Sequence, residues 1–155
     1  MSNSDNKIIR HRSPIPLNQC GAALATDIIS DRWTVLIIRE AFYGVKRYDD
    51  IREDIQIPRS VLTTRLKRLV EAEILEREPY REAGSRTRYA YILTNKGKDL
   101  GLMLLALMQW GDKHIRNSNS AIILRDKEDG KLLKVGLIKD DTETVPIDAV
   151  SITLR

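Results

Sequence analysis

The sequence predicts an α+β fold: short helices, then a two-stranded hairpin, a long helix and a β-rich C-terminal extension. Three observations support this order. Two helical segments are separated only by residues 56–58, the glycine-containing run REAGSR divides two strand-like runs, and the pattern becomes strand-like after residue 120. With 155 residues, 42% of them hydrophobic, the chain can form one domain with a sizeable core and an appendage.

The first elements are an arm and four helices. Residues 1–16 are polar, basic and interrupted by proline, and they precede a domain expected to span residues 17–117. Asn18 can cap a first helix that runs to about Ser30. Three further helices show an apolar period of 3.6 residues. Their predicted bounds are residues 32–42, residues 48–55 and residues 58–70.

The third and fourth helices form a helix-turn-helix. Only residues 56–58 connect them, and Pro58 is expected in the first turn of the fourth helix, where proline is tolerated. Strands are predicted over residues 75–80 and 87–93, joined by a turn that contains Gly84. A helix-turn-helix followed by a hairpin is the order of a winged helix.

A long helix and an extension complete the chain. Thr94 can cap a helix that runs to about Arg116, and its length of about 33 Å favours a dimer interface, although its apolar stripe could also be core or line an effector pocket. The extension, residues 118–155, contains β-like runs at AIILRD, KLLKVGLIK and VSITL. Its net charge is −1, whereas residues 59–98 carry +5 and the whole chain +4.

The fourth helix has the character of a DNA-recognition helix. Its apolar seam (Leu62, Leu66, Leu69 and Val70) opposes cationic and hydroxyl side chains, with no acidic residue from 59 to 70. Long cations can reach phosphates or guanine, and short hydroxyls allow close approach to bases. The predicted DNA-binding residues of this helix are Arg59, Ser60, Thr63, Thr64, Arg65, Lys67 and Arg68. An ordinary solvated helix face is the alternative.

The hairpin tip adds Arg81, Arg86 and Arg88. These arginines fit a wing that lies along a phosphate backbone or in the minor groove, and we include Arg86 and Arg88 among the DNA-binding residues. A turn that is charged only for solubility is the alternative.

Taken in order, these motifs resemble the HxlR-type family of winged helix-turn-helix regulators, over about residues 18–114. The resemblance rests on Cys20 followed by DRW, the turn GVKRY, VLTTRLKRLVEAEILER, RYAYILTNKG and WGD. It implies a dimeric bacterial or archaeal transcription factor whose first and last helices pair the subunits. The turn adds Arg47 to the DNA-binding residues.

The chain departs from the family pattern at three positions. Pro58 stands where a capping serine is common, and Ala90 where an acidic residue is usual. Glu73 replaces a glycine after the recognition helix, so it must adopt a left-handed conformation, at about 1 kcal/mol, or end the helix differently.

Cys20 is the one cysteine of the chain, which excludes an internal disulfide framework and a cysteine-rich zinc site. Its expected place near a helix start favours a reactive thiolate, and the family's cysteine near the first helix often senses electrophiles or oxidants. We therefore treat Cys20 as a redox-sensing candidate, with an inert apolar side chain as the alternative. No catalytic constellation, metal site or cofactor motif is found, so we expect no enzyme.

The sequence thus predicts a homodimeric, sequence-specific DNA-binding transcriptional regulator, expected to be a repressor. Its partner would be double-stranded DNA with a pseudo-palindromic operator, and thiol modification at Cys20 or a small effector would control it. A winged-helix module for protein–protein interaction is the alternative. No signal peptide or membrane span is found, so the expected location is the cytoplasm.

Overall fold

The computed structural model of the protein describes residues 15–137 and 150–154. In this part of the chain, the predicted α+β fold with a helix-turn-helix and a wing is confirmed. The elements are a 3₁₀ turn (Leu17–Gln19), α1 (Gly21–Thr26), α2 (Arg32–Phe42), α3 (Tyr48–Ile55), α4 (Arg59–Glu71), β1 (Leu75–Tyr80), β2 (Arg88–Leu93), α5 (Asn95–Lys98), α6 (Gly101–His114), β3 (Ile122–Asp126) and β4 (Val150–Leu154). The arm predicted over residues 1–16 lies almost wholly outside the described residues.

The first predicted helix is wrong in its extent. Instead of one helix from Asn18 to Ser30, the chain forms a 3₁₀ turn, straightens at Cys20 and then makes a helix of six residues. Cys20 has extended backbone angles (φ −95°, ψ 113°), which interrupt the helical hydrogen bonding. No residue of α1 is buried, so tertiary packing contributes little to this helix, and short helices are marginal without such packing.

Helix α2 lies at the centre of the core. Asp31 caps it by accepting hydrogen bonds from the backbone N–H groups of Trp33 (3.0 Å) and Thr34 (3.2 Å). Nine buried apolar side chains from α2, α3, α4, β1 and their connections form one cluster. They are Ile37, Ile38, Ile51, Ile57, Leu62, Leu66, Leu69, Ile74 and Leu75. This cluster fixes which side of α4 faces outward.

Helix α4 ends with a residue in the left-handed region. Of the two possibilities open from the sequence, Glu73 adopts the left-handed one (φ 59°). The N–H of Ile74 donates to the carbonyl of Leu69 (2.9 Å), and the N–H of Glu73 donates to that of Val70 (3.0 Å). These paired bonds form a Schellman motif, which turns the chain directly from α4 into β1.

Strands β1 and β2 form the antiparallel wing, with Leu75 opposite Leu93. Gly84 (φ 78°) supplies the left-handed position in the connecting turn, as expected. The N–H of Tyr91 in β2 donates to the carbonyl of Lys46 (2.7 Å). The base of the wing is therefore attached to the link between α2 and α3.

The long helix predicted over residues 94–116 is divided into α5 and α6. The cap by Thr94 is confirmed, because its hydroxyl accepts a hydrogen bond from the N–H of Gly97 (3.0 Å). Gly97 lies so close to the end of α4 that an added Cβ would be 2.2 Å from the carbonyl oxygen of Ile74. The N–H of Leu100 then bonds the carbonyl of Gly97 (3.1 Å) in a tighter turn. Helix α6 has 14 residues and is about 21 Å long.

In its described residues, the extension contains one strand pair, in which β3 and β4 run antiparallel. The β-like run over residues 131–139 forms no strand in its described part, where Leu132 makes a single bridge to Arg125. Its remaining residues, and the link to β4, lie outside the described residues. Among the described helices, none has the length and apolar character needed to cross a membrane.

Candidate nucleic-acid interface

Three residues set the position of α4 relative to α3. Gln56 ends α3 in a left-handed conformation (φ 54°, ψ 38°), and Ile57 is buried in the core. Pro58 precedes the first helical residue instead of lying within the first turn, and its extended angles (φ −59°, ψ 140°) are natural for proline. The buried Ile57 thus anchors the turn directly before the candidate recognition helix.

One side of α4 is buried and the other is exposed, in agreement with its periodicity. Leu62, Leu66 and Leu69 face the core. Six of the seven predicted DNA-binding residues of this helix are exposed, and we call them the α4 face: Arg59, Ser60, Thr63, Thr64, Lys67 and Arg68. The first acidic residue of the helix is Glu71, at its last position.

Hydrogen bonds order the hydroxyl groups of the α4 face. The hydroxyl of Tyr48 donates to the carbonyl of Arg59 (3.0 Å) and lies 3.0 Å from Thr63 Oγ1. Thr64 Oγ1 donates to the carbonyl of Ser60 (2.9 Å). Sequence reasoning gave Tyr48 no role of its own, and its place in the turn GVKRY was the available signal.

The cationic side chains of the α4 face have no strong partners among residues 15–137. Within residues 15–137, the side chains of Arg59 and Arg68 have no hydrogen-bond or ion-pair partner. Lys67 Nζ lies 3.7 Å from Glu71 Oε1, but both side chains are well exposed, and such pairs are weak. These three side chains can therefore bind an anion with little loss of internal contacts.

Arg65 is the one predicted residue of α4 that is not exposed. Its Nε lies 3.0 Å from Asp31 Oδ2, an ion pair without hydrogen-bond alignment, and its side chain is 23% exposed. Asp31 also accepts a hydrogen bond from the hydroxyl of Thr34 (2.8 Å). The structure gives Arg65 a contact that holds α4 against the start of α2, and its contact with DNA stays a prediction.

The electrostatics of Asp31 agree with that role. Burial opposes ionisation of its carboxyl, but the hydrogen bonds from Thr34 and the positive charge of Arg65 outweigh burial. The pKa of Asp31 therefore lies below its ordinary value. Sequence reasoning quoted Asp31 in the motif DRW without a role. Aspartate before an apolar helical run is a typical N-cap, so the cap had a local signal, whereas the ion pair had none.

Ion pairs hold two of the predicted DNA-binding arginines beside the turn of the wing. Arg47 Nη1 lies 2.8 Å from Glu82 Oε1, and Arg88 Nη1 lies 3.5 Å from Asp49 Oδ2. All four side chains are about half exposed, so phosphate oxygens could replace the carboxylates. At the tip, Arg86 is exposed and has no such partner within residues 15–137. The first turn of α3 therefore contacts α4 through Tyr48 and the wing through Asp49.

Cys20 is half-buried and free. It lies before α1, not within its first turn, and its side chain does not cap the helix. Cys20 is the N-cap residue of α1, so it lies at a helix start, as expected from the sequence. In the described ranges, no group of three histidine, cysteine or carboxylate side chains is placed to hold a metal ion.

Residues 28–119 match the HxlR-like helix-turn-helix family. An HTH-type transcriptional regulator of Mycobacterium tuberculosis is 42% identical over 91 residues, which are 59% of this chain and 56% of that protein. The HTH-type transcriptional regulator YodB of Bacillus subtilis is 34% identical over 90 residues, or 57% of this chain and 79% of YodB. The match thus spans little more than half of the mycobacterial relative.

Solved structures show the same fold. The PA1607 crystal structure has a TM-score of 0.67 at 28% identity and covers 86% of this chain and 94% of that one. The PA1374 protein of Pseudomonas aeruginosa has a TM-score of 0.54 at 32% identity, with coverage of 83% and 88%. Reduced YodB has a TM-score of 0.53 at 32% identity, with coverage of 63% and 96%. Since the family match extends over more than half of its residues, the chain belongs to the HxlR-like helix-turn-helix family.

Proposed function

We propose that this chain is a homodimeric, sequence-specific DNA-binding transcriptional regulator that represses genes by occupying their operators. Helix α4 enters the major groove and the wing lies along the backbone. The observation that carries the proposal is the α4 face, where cations and hydroxyls stand without an acidic residue from 59 to 70. Family membership supports it. A regulator of this kind acts by binding DNA and needs no catalysis. It would lie in the cytoplasm, where chromosomal DNA lies.

The groups of the α4 face suit different parts of DNA. Arg59 and Arg68 would bind phosphates or guanine, since neither is engaged within the described residues. The Thr64 hydroxyl already donates its proton to the carbonyl of Ser60, so it can act only as an acceptor toward a base. Its partner would be the amino group of adenine or cytosine. The Ser60 hydroxyl is able to donate or accept.

Exposed apolar side chains support a homodimer. Several large apolar side chains on α1 and α6, and directly beside them, are half or more exposed, which leaves apolar surface on both helices for a partner to cover. They are Leu17, Leu24, Leu102, Leu107, Trp110 and Ile115. A second copy that covers them would relate two α4 faces by a two-fold axis. The operator would then be an imperfect palindrome with half-sites about 10 bp apart or a multiple of that.

The first experiment selects bound duplexes from a random pool and measures affinity by fluorescence anisotropy. With about six to ten phosphate contacts, affinity should fall roughly 10³–10⁵-fold between 50 and 200 mM salt. Sedimentation should show a dimer at micromolar concentration. No enriched sequence, or a flat salt titration, would contradict the proposal and favour the protein–protein interaction module.

Two variants distinguish base contacts from phosphate contacts. Thr64→Ala should change sequence preference by about 0.5–1.5 kcal/mol at one base pair, the worth of one hydrogen bond. Arg86→Ala should weaken specific and non-specific duplexes alike and make the salt dependence shallower. Lys134→Ala, which removes an exposed cation of the extension, should change neither property. Identical behaviour of all three variants would show that the interface lies elsewhere.

Control by thiol modification at Cys20, or by a small effector, forms part of the proposal. Its support is the free, half-buried thiol next to α1 and the similarity to YodB, which was solved in reduced and diamide-treated forms. Diamide should alter operator affinity of the wild type but not of Cys20→Ser. If mass spectrometry shows a modified Cys20 while wild-type affinity is unchanged, thiol control is wrong and the DNA-binding proposal is unaffected.

A further inference from the structure

We propose that the cavity between α2, α6 and β3 binds a small organic anion with an apolar body, of the aromatic carboxylate class. The cavity has a volume of about 520 Å³, within the range of small-molecule sites. None of its lining residues belongs to the α4 face or the wing. The proposal therefore stands apart from DNA binding, and its test needs no DNA.

The walls of this cavity are apolar and come from three elements. Leu36 and Phe42 line it from α2, Leu104 and Met108 from α6, and Ile122 from β3. All five side chains are half-buried, so each retains surface that a ligand can cover. Apolar walls of this kind favour a flat aromatic or aliphatic body, and the flexible methionine can adapt to its shape.

The charged groups that line the cavity are cationic as far as the structure describes the chain. Among residues 15–137, the charged lining residues are Arg39, Lys98 and Lys127, and none is acidic. The guanidinium of Arg39 lies over the ring of Tyr43 (4.7 Å) and pairs with Glu40, but its five N–H donors exceed what one carboxylate can accept. Cations beside apolar walls attract a negative head group, so the ligand should be an anion.

The wall that β3 contributes is held against α6 by hydrogen bonds from the segment that follows β3. Gln109 of α6 donates from Nε2 to the carbonyl of Val135 (2.9 Å) and accepts at Oε1 from its N–H (3.1 Å). This pair of bonds ties the segment that follows β3 to α6. Ile122 and Lys127 lie beyond residues 28–119, which match the family. The complete cavity thus includes residues outside the region that matches the family.

The test is isothermal titration of the full chain with naphthoate and with the neutral naphthalenemethanol of nearly equal size. Naphthoate should bind with a Kd below about 1 mM, and the alcohol at least about tenfold more weakly. Lys98→Glu, which reverses one rim charge, should weaken naphthoate at least about tenfold. Lys113→Glu is the matched control, because it makes the same change on α6 outside the cavity and should leave binding unchanged.

Leu105→Trp, which fills the cavity, should abolish binding of naphthoate. If circular dichroism shows that this variant does not fold, the exposed Lys98→Glu still decides the question. The proposal is overturned if naphthoate does not bind, if the alcohol binds equally well, or if Lys98→Glu and Lys113→Glu bind alike. It is also overturned if Leu105→Trp makes the protein monomeric while naphthoate still binds, since the cavity would then be a contact between subunits.

Discussion

Removal of the Asp31 carboxylate should destabilise the protein through two separable contacts, the cap of α2 and the ion pair to α4. Asp31→Ala removes hydrogen bonds from the N–H groups of Trp33 and Thr34, at about 1 kcal/mol for the cap. It also leaves the Thr34 hydroxyl, in a residue only 2% exposed, without an acceptor, at about 1 kcal/mol or more. The partly exposed ion pair with Arg65 adds about 0.5–1 kcal/mol. The free energy of unfolding should therefore fall by about 2–4 kcal/mol.

Two milder variants separate the contributions. Asp31→Asn should retain the cap, because asparagine caps as well as aspartate. It removes the charge, and its amide NH2 donates to the Thr34 hydroxyl instead of accepting from it. Arg65→Met keeps the apolar stem and removes the guanidinium. The cycle of both single variants and the double variant gives the coupling energy, which should be about 0.5–1 kcal/mol.

The assay is urea unfolding followed by circular dichroism at one fixed protein concentration, because dimerisation would make stability depend on concentration. Since folding lowers the pKa of Asp31, its stabilisation is complete above the ordinary pKa and is lost as pH falls through the folded pKa. The difference between wild type and Asp31→Asn should be full at pH 7 and shrink below about pH 4. A coupling energy below about 0.3 kcal/mol at pH 7 would refute the role assigned to Arg65.

Two further predictions concern the wing and the junction after it. Glu82→Gln frees Arg47 and makes the wing more positive, so DNA affinity should rise and the salt slope should steepen by about 1 in anisotropy titrations. An unchanged slope would contradict the view that the pair with Glu82 keeps Arg47 from phosphate. Gly97→Ala forces a Cβ to 2.2 Å from the Ile74 oxygen and should cost more than about 2 kcal/mol. Its control, Gly111→Ala, has open space around the new atom and should gain up to about 1 kcal/mol. Equal thermal shifts of the two glycine variants would contradict this difference.

The sequence alone was enough to predict the elements that depend on local signals. The spacing of Leu62, Leu66 and Leu69 predicted both the buried side of α4 and the exposed position of most of its cations. Gly84 predicted the wing turn, because a left-handed residue is needed there. These features depend on residues within a few positions of one another.

Features set by contacts between distant segments escaped prediction. Arg65 forms an ion pair with Asp31 because α4 packs beside the start of α2. The sequence around either residue does not indicate that the two are neighbours. The long helix is divided by a tighter turn, in which the N–H of Leu100 bonds the carbonyl of Gly97, and the local cap at Thr94 gave no sign of it. The short α1 follows from its lack of buried contacts in spite of a helical composition.

The junction after α4 also bears on which operators the protein tolerates. There the Thr94 hydroxyl donates to the carbonyl of Glu73 (2.6 Å), and Gly97 abuts Ile74, so the helices leading to α6 are joined rigidly to the end of α4. In a dimer paired through α6, that stiffness would fix the distance and the relative rotation of the two α4 helices. An extra base pair between half-sites turns one of them by about 35° around the DNA axis. A stiff dimer cannot follow that rotation, so it would lose contacts with one half-site. The spacing between half-sites would therefore discriminate between operators as strongly as base identity does.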